Sequence, residues 1–111
     1  MEIKESATEH VKIFMAGNIE DAKRYCREFC FAKGFCVSIY ETSYIYTGGE
    51  ESGFVVELIN YPRFPSAKAE LLLSAVSIGN GLMAACFQNS FTIMTKNKTF
   101  WHSRRLPEPK S

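Results

Sequence analysis

Apolar residues recur along this chain with two different periods. Phe35, Val37 and Ile39 alternate with Cys36, Ser38 and Tyr40, the period of two that marks a strand with one buried face. Ile19, Ala22, Cys26, Phe29 and Cys30 fall instead at helical steps, with Lys23, Arg24, Arg27 and Glu28 elsewhere on the wheel. Asn18, followed by Asp21, predicts the N-cap of that helix. Lys33 puts a cation in its last turn, and Gly34 stands where a left-handed C′ residue is needed. Ahead of it, the apolar run 11–16 predicts a first strand after a loose polar lead-in, residues 1–9.

Beyond Tyr40, Glu41-Thr42-Ser43 reads as a turn and residues 44–47 as a third strand. Gly48 and Gly49 allow a positive-φ hairpin, extended through Glu50, Glu51, Ser52 and Gly53. Residues 54–59 are apolar except for Glu57, which suits a central strand covered on both faces. Ser66 is placed to cap a second helix running to about Gln88, with Leu72, Ala75, Val76, Gly79, Leu82, Met83 and Cys86 on its apolar face. Glycine in a helix costs roughly 1 kcal/mol relative to alanine, so Gly79-Asn80-Gly81 predicts close approach of a neighbouring element. Residues 91–95 and 99–102 form a hairpin about Lys96-Asn97-Lys98, and the tail 104–111 is expected to fray. The order is β-α-β-β-β-α-β-β in a single domain, 1–111. This is an α+β chain with one antiparallel sheet and two helices on one face, a variant of the split β-α-β plan.

Composition adds one unusual figure, 14% aromatic residues, which in a domain this small sends some rings to the surface. A net charge of +1, spread along the chain, argues against a nucleic-acid backbone as partner. The polar start and the lack of a long apolar run point to a soluble, cytoplasmic protein, without membrane partners, whose four cysteines are free thiols.

Chemistry-bearing motifs are scarce. Cys26 and Cys30 lie one helical turn apart, with Cys36 nearby and His10 or His102 as further ligands, but both helical thiols sit on the apolar stripe and read as packing. No metal or cofactor is expected. Neither histidine adjoins a serine or cysteine in a nucleophile context, and the adjacent Glu50 and Glu51 read as solvated turn carboxylates. Thr47-Gly48-Gly49-Glu50 lacks the lysine of a phosphate-binding loop, and the run 52–58 only faintly echoes an RNA-recognition strand. A non-enzymatic protein is therefore expected.

The sharpest feature is Asn60-Tyr61-Pro62-Arg63-Phe64-Pro65, where two prolines stiffen a loop that presents a guanidinium between aromatic rings. With Tyr44 and Tyr46 from the tyrosine-rich strand and Arg104 near Trp101, the residues Arg63, Tyr61 and Phe64 form the candidate site for a small anionic, nucleotide-like ligand. The competing reading has Tyr61 and Phe64 plugging the gap between sheet and helix, with Arg63 simply exposed.

The runs Phe35-Cys36-Val37-Ser38-Ile39, Tyr46-Thr47-Gly48-Gly49-Glu50-Glu51-Ser52-Gly53 and Asn60-Tyr61-Pro62-Arg63-Phe64-Pro65 resemble a family of small proteins encoded by phages and prophages, over residues 11–105. Size and element order are also similar to phage anti-defence proteins that sequester nucleotide-type signals as homo-oligomers. That resemblance implies a homo-oligomeric, non-enzymatic binder of a nucleotide-like signal. The alternative is an inhibitor that docks on a host defence protein.

Overall fold

The computed structural model describes residues 1–104, in the order β1 (His10–Ala16), α1 (Ile19–Lys33), β2 (Ser38–Tyr46), β3 (Gly49–Ile59), α2 (Lys68–Ala85), β4 (Ser90–Thr95) and β5 (Thr99–Ser103). The strands form one sheet, ordered β2-β3-β1-β4-β5, in which every neighbouring pair is antiparallel. This is the expected α+β class. The tail expected to fray lies outside the described residues from position 105 onward.

Strand alternation decides what each face carries. Val11, Ile13 and Met15 of β1, Phe54, Val56 and Leu58 of β3, and Phe91 and Ile93 of β4 point to one side. There they meet Ala22 and Cys26 of α1 and Leu71, Ala75, Ile78 and Leu82 of α2 in a single core. Fully burying a side chain such as Leu58 contributes about 1.5–3 kcal/mol, so this layer holds both helices on the same face. None of the described helices is long and apolar enough to cross a membrane.

The predicted caps of α1 form. Asn18 Oδ1 accepts from the amides of Glu20 and Asp21 at 2.8 and 3.2 Å, and Gly34 ends the helix in the left-handed region at φ 66°. The start of α2 departs from expectation. Its N-cap is Ala67, which offers no side-chain acceptor, while the Ser66 amide donates to Asn60 Oδ1 at 2.8 Å and anchors the loop instead.

The glycines of α2 do mark close approaches. A Cβ at Gly79 would collide with the Phe91 ring of the sheet, and one at Gly81 with the Tyr25 hydroxyl of α1. One permits helix–sheet contact and the other helix–helix contact.

The sheet has one strand fewer than expected. Residues 41–43 form no turn; Glu41, Thr42 and Ser43 pair with Phe54, Gly53 and Ser52 inside one nine-residue strand. The register of the hairpin overrides their turn propensity, and the chain reverses only at Thr47 and Gly48, where Gly48 has φ 84°. Glu50 and Glu51 accordingly belong to β3 and not to a turn. The lead-in is also tied to the sheet: the Ser6 hydroxyl donates to the Asn60 carbonyl, and Asn60 Nδ2 to the carbonyl of Ala7, both at 2.8 Å.

Candidate functional site

The opposite side of the sheet has no helix over it. Alternation sends Lys12, Phe14 and Ala16 there from β1, Tyr40, Tyr44 and Tyr46 from β2, Val55 and Glu57 from β3, and Thr92 and Met94 from β4. The expectation that β3 is covered on both faces is thus corrected: the second face has no covering layer. Val55 is nonetheless only 3% exposed. Its cross-strand neighbours Phe14 and Tyr40 shield it, as rings do when they lie directly opposite a β-branched residue.

A row of apolar and aromatic side chains crosses the middle of this face, from Tyr40 through Val55, Phe14 and Thr92 to Trp101. Hollows lie on either side of the row. On one side, Phe14, Tyr44, Glu51, Thr92 and Trp101 surround a depression of about 220 Å³ that combines rings, a hydroxyl and one carboxylate. On the other, Lys12, Glu57 and His10 meet the lead-in and the start of the proline loop around a larger one of about 470 Å³.

The second hollow contains the most unusual electrostatic feature of the sheet. Lys12 Nζ lies 3.6 Å from Glu57 Oε2, and each side chain is 28% exposed. Both residues are the lone charge in an otherwise apolar stretch of a central strand. A half-buried ion pair loses much of its hydration and returns little net stability, so an apolar pair would hold the same strands at no lower stability. Its chemistry suits an incoming group that itself carries both signs.

The residues expected to bind ligand do not converge. Tyr44 stands in the aromatic hollow, where its ring lies over Gly53 and its hydroxyl donates to the Phe54 carbonyl at 2.9 Å; burial raises its pKa to about 12. Tyr46 is on the same face, farther along the hairpin and packed over Gly49. Arg104 donates through Nη2 to the Gln88 carbonyl at 3.0 Å, and Gln88 lines the aromatic hollow, so Arg104 reaches its rim indirectly.

Tyr61 and Phe64 pack on each other, with ring centroids 5.3 Å apart, in a separate hollow beside Cys36. The Tyr61 hydroxyl has a raised pKa, first through its interaction with the Cys36 thiol and then through burial. Arg63 is exposed and has no hydrogen bond or ion pair among the described residues. Of the histidines, His10 lines the larger hollow, whereas His102 stacks on Phe91 on the helix side, with centroids 4.8 Å apart. Lys12 and Glu57 were not among the candidate residues read from the sequence. Their signal was there: one charge interrupting each apolar strand.

Two solved structures match over nearly the whole chain. One is a phage SAM lyase in complex with S-methyl-5'-thioadenosine, with a TM-score of 0.68, 16% sequence identity, and coverage of 97% of this chain and 98% of that one. The other is a phage SAM lyase in its apo state, with a TM-score of 0.71, 16% identity, and coverage of 96% and 100%. The chain shares the fold of phage SAM lyases. No protein-family model and no curated protein matches it. The expectation of a non-enzymatic protein is corrected by these neighbours, both of which are enzymes. The scarcity of nucleophile and metal-ligand motifs spoke only against covalent and metal-assisted routes. Catalysis by positioning and electrostatics leaves no such motif.

Proposed function

We propose that this chain is a lyase acting on S-adenosylmethionine, and that its site is the helix-free face of the sheet. The observation that carries the reading is the Lys12–Glu57 pair set beside a row of aromatic rings. The substrate has matching parts: a nucleoside, a sulfonium and a zwitterionic amino-acid end. Phe14, Tyr44 and Trp101 offer faces on which a purine stacks and a sulfonium is held by cation–π attraction. Glu57 takes the α-ammonium, and Lys12 keeps the Glu57 carboxylate aimed.

Bound in this way, the bond between sulfur and the four-carbon fragment breaks, and its electron pair returns to sulfur. The substrate's own carboxylate closes on the carbon left behind, giving a lactone and S-methyl-5'-thioadenosine. No water, base or proton transfer is needed. The sulfonium and carboxylate charges neutralise each other as the reaction proceeds, so surroundings less polar than water, such as Val55 and Phe14 provide, favour the less charged transition state.

Removal of a nucleoside compound by cleavage, in place of sequestration, serves the anti-defence role that the phage resemblance implies. The homo-oligomer belongs to the same proposal. Tyr40 and Trp101 are 43% and 65% exposed on this face, and a second copy laid over it would exclude water from the site.

The test is direct. The purified chain is incubated with S-adenosylmethionine, and products are followed by liquid chromatography and mass spectrometry. Stoichiometric S-methyl-5'-thioadenosine and lactone, formed by wild type and lost in Glu57→Gln, support the proposal. Absence of turnover by a folded, oligomeric protein overturns it.

A further inference from the structure

On the helix side of the sheet, a cavity of about 280 Å³ opens between the first turn of α2 and the β4–β5 hairpin. Val11, Leu71, Leu72 and Phe100 line it with hydrocarbon and one ring, and at its rim the two ammonium groups of Lys68 and Lys98 outnumber the single carboxylate of Glu9, beside His10. Phe100 remains 38% exposed there, so the strand leaves an aromatic surface that the core does not use. Neither lysine has an ion-pair partner among the described residues. At roughly 30 Å³ for each water-sized group, the space suits a molecule of about ten heavy atoms. Small-molecule sites typically combine such an apolar lining with a few charged groups that fix orientation.

We infer that this cavity binds a small amphiphilic monoanion, with an apolar tail against Leu71, Leu72 and Phe100 and a carboxylate between Lys68 and Lys98. A neutral amphiphile of the same length fills the same space but leaves both ammonium groups without a partner, so charge selects the ligand. Such a site does not rest on the lyase reading, although Glu9 and His10 border both hollows.

The experiment uses octanoate, with octanol as its uncharged counterpart, on the full chain labelled for amide NMR. Octanoate is expected to move the resonances of Leu71, Leu72 and Phe100 in a saturable manner, and octanol to bind at least several-fold more weakly. Lys68→Met and Lys98→Met combined should weaken octanoate binding by roughly five- to 25-fold, because each exposed ion pair is worth up to about fivefold and the two factors multiply. Leu72→Trp, which fills the space, should abolish it, with folding checked by thermal denaturation. Equal affinity for octanol, shifts centred on the helix-free face, or no saturable shifts at all would overturn the inference.

Discussion

Lys12 and Glu57 face each other across the seam between β1 and β3, with 3.6 Å between Nζ and Oε2. In the lyase reading Glu57 touches the substrate, whereas Lys12 acts by positioning it, so their variants should differ in kind. Glu57→Gln removes the charge that meets the α-ammonium and should lower kcat/KM by about 100-fold or more. Lys12→Met should lower it less, and Lys12→Arg should restore most of the loss. All three variants should stay within about 1 kcal/mol of wild type in denaturant titrations, since this partly exposed pair contributes little. A drop in stability large enough to unfold any of them would make the pair structural.

The glycines of α2 give a second contrast. Alanine at either position gains up to about 1 kcal/mol of helix propensity, but the new methyl meets different neighbours. At Gly79 it meets the Phe91 ring, which is buried and stacked on His102. At Gly81 it meets the far end of Tyr25, a partly exposed side chain that is able to swing away. Gly79→Ala should therefore cost about 1–3 kcal/mol as overpacking, and Gly81→Ala clearly less. Equal costs measured by urea denaturation would contradict this asymmetry.

Much of the fold was legible because periodicity and caps agree. The helical stripe from Ile19 to Cys30, the Asn18 cap and the Gly34 terminator all return in the structure, and Gly79 and Gly81 mark real contacts. Glu41-Thr42-Ser43 was misleading, because a polar triplet looks like a turn until its pairing partners Ser52, Gly53 and Phe54 are known. The candidate site was harder still. The proline loop draws attention by composition, yet Tyr61 and Phe64 mainly pack on each other. Lys12 and Glu57 are ordinary residues 45 positions apart, and only the β1–β3 register makes them a pair.

Thiol reactivity should be sharply graded. Burial, followed by the neighbouring Cys30 and Cys86, pushes Cys26 from 9.0 up to about 12, and burial also raises Cys30 and Cys86. The nucleophile is the thiolate, so these three react slowly at neutral pH, while Cys36 is exposed. Native protein treated with a maleimide at pH 7.5 should take up one equivalent quickly, located at Cys36 by peptide mapping, and the others only after unfolding. Rapid labelling of Cys26 would mean that the core opens far more readily than its packing implies.

Alkaline pH should weaken the fold through Tyr44. Burial raises this phenol from 10.0 to about 12, so between those values the native state holds a proton that the unfolded chain has released. Stability then falls as pH rises: the contribution is complete below pH 10 and is lost as pH passes through about 12. Cys26, raised from 9.0 to about 12, acts in the same direction and begins earlier. Tyr44→Phe removes both the titration and the hydrogen bond to the Phe54 carbonyl, and should cost about 0.5–1.5 kcal/mol at pH 8. The gap between variant and wild type should narrow as pH rises from 10 to 12, because only wild type has a Tyr44 proton to lose. Guanidinium midpoints of both proteins at pH 8, 10, 11 and 12 measure this. A gap that stays constant would show that the Tyr44 hydroxyl titrates alike in the folded and unfolded chains.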